Sequence, residues 1–471
     1  MTPQFVYTMK GLGAALPPGR PAFRDLWLSL PAGARLGVIG PAGAGKTTLL
    51  RIMAGELTDF EGEAGPAAGV TVGYLPPAPR LDDAETVAAA VEAGVAHLRA
   101  LLREYDEVMA VLSSGPIDYG PPSEAQSRLH QALDAAGAWR LDGRVASFTD
   151  ALRLPPGRTP IDTLAAAERR RVALCRLLLQ APDLLLLDEP ADDLDAELAD
   201  WIDRHLAGYS GTVVAASRDR CFLDGVADWI LALDGGAATA WRGGYASWLE
   251  QQGRQLDAAA ATAADRRRAV QREIDWMRTP PRVRAAGARA RLQDRAGEGA
   301  APAVVEAQGV VKGYGARALI GGLSFALPPG AVAGVLGPGG AGKTTLLKLI
   351  AGEAAPDAGA VRLGTDVRVA VLERPDGEPR TDPAARLAAL QREGVNLVLL
   401  DEPERGLDVA ALRALEDALL AFAGSAVVAT GDRRLLDRVA THILAFEGDS
   451  RVEWFPGVYA AYQDDRRRRL G

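Results

Sequence analysis

The stretch RLGVIGPAGAGKTTLLRIMAGE at 35–56 returns as VAGVLGPGGAGKTTLLKLIAGE at 332–353, and LLLLDEPADDLDAE at 184–197 returns as LVLLDEPERGLDVA at 397–410. A chain that writes the same two blocks twice, in the same order, is built from two copies of one unit. In each copy an apolar run enters a glycine-rich loop and a helix, and a later apolar run ends in Asp-Glu. A third β-type run follows, GTVVAASRD at 211–219 and SAVVATGD at 425–432. Strand, loop, helix and strand in this alternation predict an α/β fold with a parallel core. At 471 residues the chain is too long for one core and suits two or three domains.

The loops carry the chemistry. Gly40, Pro41, Ala42, Gly43, Ala44, Gly45, Lys46, Thr47 and Thr48 match G-x-x-x-x-G-K-T, as do Gly337, Pro338, Gly339, Gly340, Ala341, Gly342, Lys343, Thr344 and Thr345. Glycines let backbone N–H groups curl round a phosphate at a helix N-terminus. Lys46 and Lys343 place a compact charge on the outer phosphates of ATP, and Thr47 and Thr344 offer a hydroxyl to Mg²⁺. The chain has five lysines, Lys10, Lys46, Lys312, Lys343 and Lys348, against many arginines, yet both loops keep lysine. A guanidinium is too broad for that position. Asp188 and Asp401 are the expected Mg²⁺ partners through water, and Glu189 and Glu402 the groups that position or deprotonate an attacking water. Tyr314 in KGYGAR either stacks on adenine or belongs to the core.

Composition narrows the setting. No run of about 18 uncharged apolar residues is present, so no membrane span is expected. The start MTPQFVYTMKGLG lacks a secretory pattern, and Cys175 and Cys221 form no disulfide framework, so a cytoplasmic location is expected. The net charge of −8 argues against a surface that coats nucleic acid throughout, but leaves room for a local basic element. One exists. From Arg254 to Arg295 there are 11 arginines against five acids. AAAATAADRRRAVQREIDWMR at 258–278 predicts a long helix, TPPR at 279–282 breaks it, and 283–296 predicts a second piece. Within the first half, Val87, Val91, Val95, Leu98, Leu102 and Tyr105 form one apolar stripe. A helix over about 124–138 follows, and the pair predicts an arm projecting from the first core. The tail RRRRLG reads as a disordered, solvated end.

These features together resemble the ATP-binding cassette proteins of subfamily F, which carry two cassettes on one chain. The resemblance rests on QFVYTM, TTLLRIMAGE, ALRLPP, ERRRVALCRLLL, DEPADDLD, DRCFLDGVADWIL, YASWLEQQ, EIDWMR and RVATHIL, and runs over nearly the whole length. It implies two tandem nucleotide-binding domains, 1–250 with a helical arm at about 85–145 and 301–471, joined by a basic helical linker at 251–300. It further implies a monomer whose two cassettes pair on ATP, and a ribosome-bound factor whose linker reaches rRNA and tRNA. A transmembrane permease is not an expected partner.

The chain departs from that family at its trigger. In the family each ATP is sandwiched between one loop and a Leu-Ser-Gly-Gly-Glu turn of the other half. Here Leu164 and Glu168 frame Ala165, Ala166 and Ala167. A lost charge-assisted hydrogen bond is worth about 1.5–3 kcal/mol, and a lost transition-state donor costs ~10²–10³ in rate. In half two, Lys343 and Asp401 are only 58 positions apart, against 142 between Lys46 and Asp188. A strand at 360–373 and one helix fill that space, so the second domain lacks most of its helical subdomain. Pro77 stands where a Mg²⁺-binding glutamine is expected, with Arg374 the counterpart. Arg218 and Gly431 replace the switch histidine. The expected protein binds ATP and hydrolyses it weakly or not at all; an active ATPase of the same subfamily and a non-catalytic interaction protein stay open.

Overall fold

The computed structural model describes residues 5–16, 20–113, 120–192, 194–258, 271, 274–279, 283–284, 286–287, 290, 303–315, 317–372, 383–405 and 407–470. By packing density the chain divides into two compact units. One takes in Met1–Leu36, Gly45–Pro190 and His205–Ala216; the other takes in Gly37–Ala44, Ala191–Arg204 and Ser217–Gly471. The packing units therefore do not follow the sequence repeat, because three pieces of half one, Gly37–Ala44, Ala191–Arg204 and the stretch from Ser217 onward, belong to the second unit.

In half one, β1 (Phe5–Leu16) and β2 (Arg20–Pro31) precede β3 (Arg35–Ile39), the phosphate loop and α1 (Lys46–Met53). Then come β4 (Glu61–Pro66), β5 (Val72–Leu75), α2 (Val87–Ser113), α3 (Gly120–Ala135), α4 (Leu141–Ala151) and α5 (Ala166–Gln180). β6 (Leu184–Asp188), α6 (Ala196–Ala207), β7 (Thr212–Ala216), α7 (Arg220–Gly225), β8 (Trp229–Asp234), β9 (Ala237–Arg242) and α8 (Tyr245–Ala258) complete it. A six-stranded sheet runs β5-β6-β7-β3-β8-β9, and an antiparallel sheet runs β2-β1-β4. Leu184 to Leu187 are fully buried, as a strand covered on both faces requires.

Half two repeats the plan. β10 (Val305–Tyr314), β11 (Arg317–Leu327), β12 (Val332–Leu336), α9 (Lys343–Ala351), β13 (Ala358–Leu363) and β14 (Val369–Leu372) lead to α10 (Pro383–Arg392). β15 (Leu397–Asp401), α11 (Val409–Ala421), β16 (Ser425–Ala429), α12 (Arg433–Val439), β17 (His442–Gly448), β18 (Arg451–Pro456) and α13 (Tyr459–Leu470) follow. Its sheets run β14-β15-β16-β12-β17-β18 and β11-β10-β13, the same order as in half one. The parallel α/β core expected from the repeat is present twice.

Several details correct the sequence reading. The single strand expected at 360–373 is two strands in different sheets, β13 and β14. Gly364 starts a turn, closed by Val367 N–H donating to Gly364 O at 3.2 Å, that redirects the chain between them. The helix expected at 124–138 begins earlier, at Gly120, because Pro121 and Pro122 occupy a first turn that needs no backbone donors. It ends before Gly137, which takes a left-handed φ of 59°. Nor does the whole 85–145 segment project. Val87, Val91, Val95 and Leu98 are buried, and α2 lies so close to α5 that a Cβ on Gly94 would stand 2.6 Å from Arg176 O. Past Leu98 the stripe is half-buried, and Tyr105 meets Trp139 edge-on at 5.1 Å. The tail is not disordered: α13 buries Tyr459 and Tyr462 and pairs Arg466 with Glu197 and Arg469 with Glu447.

The second unit shows how the shortened half keeps its core covered. On one side Leu387 and Leu390 of α10 pack with Val398, Leu400, Leu415 and Leu419. On the other, Ala196 of α6 joins Leu336, Leu436, Ile443, Tyr459 and Tyr462 in one apolar cluster. Buried ion pairs tie α7 to α11 and α12: Arg220 pairs with Glu416, both fully buried, and Arg438 reaches the same carboxylate at 2.8 Å. Burial works against a charged Glu416, yet Arg220 and Arg438 hold its carboxyl below the ordinary range. Arg433 donates to Asp219 at 2.6 Å and lies 2.8 Å from Asp203, and it also meets Asp200.

The long helix expected at 258–278, the break at 279–282 and the helical piece at 283–296 lie largely outside the described residues. Where described, the linker is tied down. Arg278 pairs with Glu250 at 2.6 Å, Arg284 with Asp437 at 3.1 Å, and Arg284 and Arg434 lie over the Trp276 ring at 4.5 and 5.3 Å.

Candidate nucleotide sites

Each phosphate loop joins a central strand to a helix. β3 hands over to Gly40 and α1 begins at Lys46; β12 hands over to Gly337 and α9 begins at Lys343. Glycine is required at the entry. Gly40 has φ 153° and Gly337 φ 147°, and a Cβ on Gly40 would stand 2.3 Å from Leu233 O. Gly45 and Gly342 cap the two helices in the left-handed region, with no side-chain cap. The helix N–H groups of that first turn are therefore left for an anion. Pro41, Gly43, Gly339 and Gly340 are exposed on the loops, Ala42, Thr48, Ala341 and Thr345 are half-buried, and Ala44 is buried.

In the second loop, Lys343 Nζ donates to Gly337 O at 2.7 Å and Pro338 O at 3.2 Å. Burial lowers its pKa, against the pull of Glu402, Asp195, Asp401 and Glu404. Thr344 Oγ1 donates to Asp401 Oδ2 at 2.6 Å, so the hydroxyl and the carboxylate named from sequence do meet. In the first loop Thr47 is exposed and opens onto a cleft of about 950 Å³, lined also by Arg51, Tyr74, Pro77, Arg80 and Arg176. Asp188 ends β6 and is 2% exposed.

Glu189 and Glu402 share an unusual backbone. Their φ values are 51° and 45°, in the left-handed region. Their N–H groups donate to Ala216 O at 2.7 Å and Ala429 O at 2.8 Å, one residue past the ladder. A non-glycine residue held there costs about 1–3 kcal/mol, and such residues cluster at functional sites. Glu402 pairs with Arg405 at 2.5 Å, a neutralising partner that sequence spacing did not single out.

Ala165 takes the N-cap place of α5 with no side-chain cap. Glu168 Oε2 accepts from Ala165 N–H at 3.0 Å, the surviving half of a capping box. Leu164 is buried, Ala165 and Ala166 exposed, and Ala167 half-buried. Two residues past Glu168 stands a group the sequence reading missed. Arg170, 5% exposed, donates through Nη1 to Pro77 O at 2.5 Å and through Nη2 to Asp188 O at 2.5 Å and Glu189 O at 2.6 Å. The run ERRR in this helix was its only signal, and a run of arginines does not say which one turns inward.

Where the switch histidine was expected, Arg218 donates to Asp192 at 2.6 Å and to Leu407 O at 3.2 Å. Gly431 N–H donates to Glu404 Oε1 at 3.0 Å, and a Cβ on Gly431 would stand 3.0 Å from Leu194 O. Arg374 lies outside the described residues. Tyr314 is 56% exposed with Lys312 Nζ 5.3 Å from its ring centroid, so it is not a core tyrosine.

Comparison with known proteins adds the relationships. The family model described as ABC transporter matches residues 23–192 and 320–381. The energy-dependent translational throttle protein EttA of Haemophilus influenzae is 39% identical, over 100% of this chain and 97% of its own length. EttA of Escherichia coli and of Mycobacterium tuberculosis are each 39% identical, over 99% of this chain and 97% of theirs. Among solved structures, RNase-L Inhibitor aligns at TM-score 0.59 and 18% identity, covering 92% of this chain and 88% of its own. The archaeal ribosome recycling factor aABCE1, solved with a ribosomal stalk protein, aligns at TM-score 0.59 and 16% identity, covering 97% and 92%. At those identities the two structures speak for the tandem-cassette fold alone. No helix among the described residues is long and apolar enough to cross a membrane.

Proposed function

The chain belongs to the ABC-F family of ATP-binding cassette proteins, among the relatives of EttA, and on that premise we propose that it is a ribosome-associated translation regulator that binds Mg²⁺·ATP at both loops and hydrolyses it weakly or not at all. One observation carries this reading: the phosphate loops and the Thr344–Asp401 contact are complete, while Ala165, Pro77, Arg218 and Gly431 stand where the trigger groups are expected. The ribosomal part rests on the relatives' names as translational throttle proteins and on their match over nearly the full length of both chains.

Both sites fit a hard cation. Thr344 Oγ1 and Asp401 Oδ2 lie 2.6 Å apart, and Thr47 and Asp188 hold the same places in half one. Among the described residues no cluster of three or more His, Cys, Asp or Glu side chains suits a metal. A hydroxyl and one carboxylate are the sparse set that Mg²⁺ accepts when phosphate and water fill the rest. The bound cation would neutralise charge on the outer phosphates. The chain's own residues do the remaining work: loop N–H groups and Lys46 or Lys343 orient the phosphates, Tyr314 offers an exposed ring to adenine, and Glu189 or Glu402 accepts a proton from water. The two cassettes act within one monomer, in the cytoplasm, without a permease.

The left-handed backbone shared by Glu189 and Glu402 favours a second reading, an active ABC-F ATPase. Turnover by the purified chain at rates typical of cassette ATPases, abolished in Glu189→Gln/Glu402→Gln, would establish it over the first. Ribosome co-sedimentation with a non-hydrolysable ATP analogue, and with Lys46→Ala/Lys343→Ala as control, tests the association. Nucleotide-dependent co-sedimentation lost in the double variant is expected; none under any condition would leave an interaction protein of another kind.

A further inference from the structure

We propose that Arg170 is a positioning residue of the first nucleotide site, holding Asp188 and Glu189 in the geometry that Mg²⁺·nucleotide requires; this rests on the reading of Gly40–Thr48 as a nucleotide loop. In an extended strand successive carbonyls point to opposite sides. Asp188 O and Glu189 O instead both receive Arg170 Nη2, at 2.5 and 2.6 Å. They can do so because Glu189 has φ 51°, which turns its carbonyl back toward its neighbour's. The clamp therefore depends on the turned backbone of Glu189. Glu402 takes the same left-handed turn, so the turn belongs to the strand end, and the buried guanidinium adds charge-assisted hydrogen bonds to the carbonyl pair that the turn presents.

The third bond widens the role. Arg170 Nη1 donates to Pro77 O at 2.5 Å, so one side chain ties β6 to the loop beside the cleft that Thr47 opens onto. Proline has no side-chain donor or acceptor, and the tie uses the carbonyl that it keeps. A guanidinium is suited to this work because its planar fork reaches separate carbonyls at once, whereas an ammonium is a point charge. Arg170 also lies on α5, two residues beyond Glu168, so the helix headed by the altered Leu164–Glu168 turn is fastened to the acid pair.

Half two offers an internal contrast. Glu402 is engaged by Arg405 through its side chain at 2.5 Å, and its carbonyl accepts from Arg405 N–H at 3.2 Å. The carbonyls that Arg170 holds, of Pro77, Asp188 and Glu189, all belong to half one.

Titration of the full chain with a fluorescent ATP analogue, in Mg²⁺ and in EDTA, tests the assignment without requiring turnover. The Lys343→Ala background reports the first site and Lys46→Ala the second. In Lys343→Ala, Arg170→Met is expected to remove about tenfold or more of the affinity gained from Mg²⁺, as loss of groups that orient metal ligands commonly does. Affinity in EDTA stays within about twofold, and Arg170→Lys falls between. In Lys46→Ala neither variant changes binding. A full Mg²⁺ gain in folded Arg170→Met, an equal loss in Mg²⁺ and EDTA, or a loss in both backgrounds overturns the proposal. If the Lys343→Ala parent binds no nucleotide, the reading of the first loop has failed, and the proposal with it.

Discussion

Replacing Glu404 with glutamine should stabilise the protein at pH 8 and do far less at pH 5. Glu404 lies two residues beyond Glu402, and its Oε1 accepts from Gly431 N–H at 3.0 Å. Its Oε2 is buried. Burial, aided by the negative charge of Asp432, pushes the carboxyl from its ordinary 4.5 up to about 7, although Thr430 and Gly431 N–H pull the other way. The folded state therefore keeps a proton that the unfolded chain releases. Stability falls as pH rises from about 4.5 to about 7 and stays low above that range. With 1.36 kcal/mol per pKa unit, linkage across pH 5 to 8 amounts to about 2 kcal/mol. Glutamine supplies the neutral form at every pH and does not pay this penalty.

The measurement is the difference in Tm between Glu404→Gln and the parent at pH 5 and pH 8, by calorimetry at fixed ionic strength. For a domain of this size each kcal/mol moves Tm by about 2–4 °C. The variant's advantage should therefore grow by about 4–8 °C between the two conditions. Asp203, likewise pushed up to about 7, by burial first, is present in both proteins and cancels in the difference. A difference equal at the two pH values, or larger at pH 5, would refute the reasoning.

Glu416→Ala removes the buried carboxylate shared by Arg220 and Arg438, leaving Asp432 3.8 Å from Arg220 and Asp417 2.7 Å from Arg438, and should cost about 3–5 kcal/mol in denaturant unfolding, while Arg220→Met/Glu416→Leu recovers most of it. A cost under about 1 kcal/mol for Glu416→Ala would show that water already reaches the pair. Leu387→Ala on α10 should cost about 2–5 kcal/mol, because that helix is the cover of one face of the second core; a loss no larger than at an exposed leucine would mean α10 is not packed there.

Much of the fold was legible because repetition and apolar runs are local. β6 and β15 announce themselves as LLLLD and LVLLD, and the glycine loops can be read without knowing what they touch. The contacts that decide how each acid is held were not legible, for three physical reasons. Arg170 acts through main-chain carbonyls, which every residue has, so no partner residue marks it. Glu402 and Arg405 are three apart, but the left-handed turn at Glu402 sets whether they meet. The tail RRRRLG opens on four arginines, and its helix is held from Tyr459 and Tyr462, upstream of that run.

The shortened second half shows the same limit from another side. Counting residues between Lys343 and Asp401 establishes that a helical subdomain cannot fit, but not what replaces it. A parallel strand such as β15 is apolar on both faces and must be covered on both. In this chain one cover is α10, the single helix the spacing allows, and the second unit closes elsewhere with Ala196 and the C-terminal tyrosines around Leu336 and Ile443. Ala196 and α13 lie far from β12 in sequence, so periodicity could assign them an apolar face but not its partner. That placement has a chemical consequence. Asp195, next to Ala196, is among the acids that act on Lys343, so a segment from half one enters the electrostatics of the second loop through the same packing that seals its core. Loss of that cover would then be felt at the phosphate site as well as in stability.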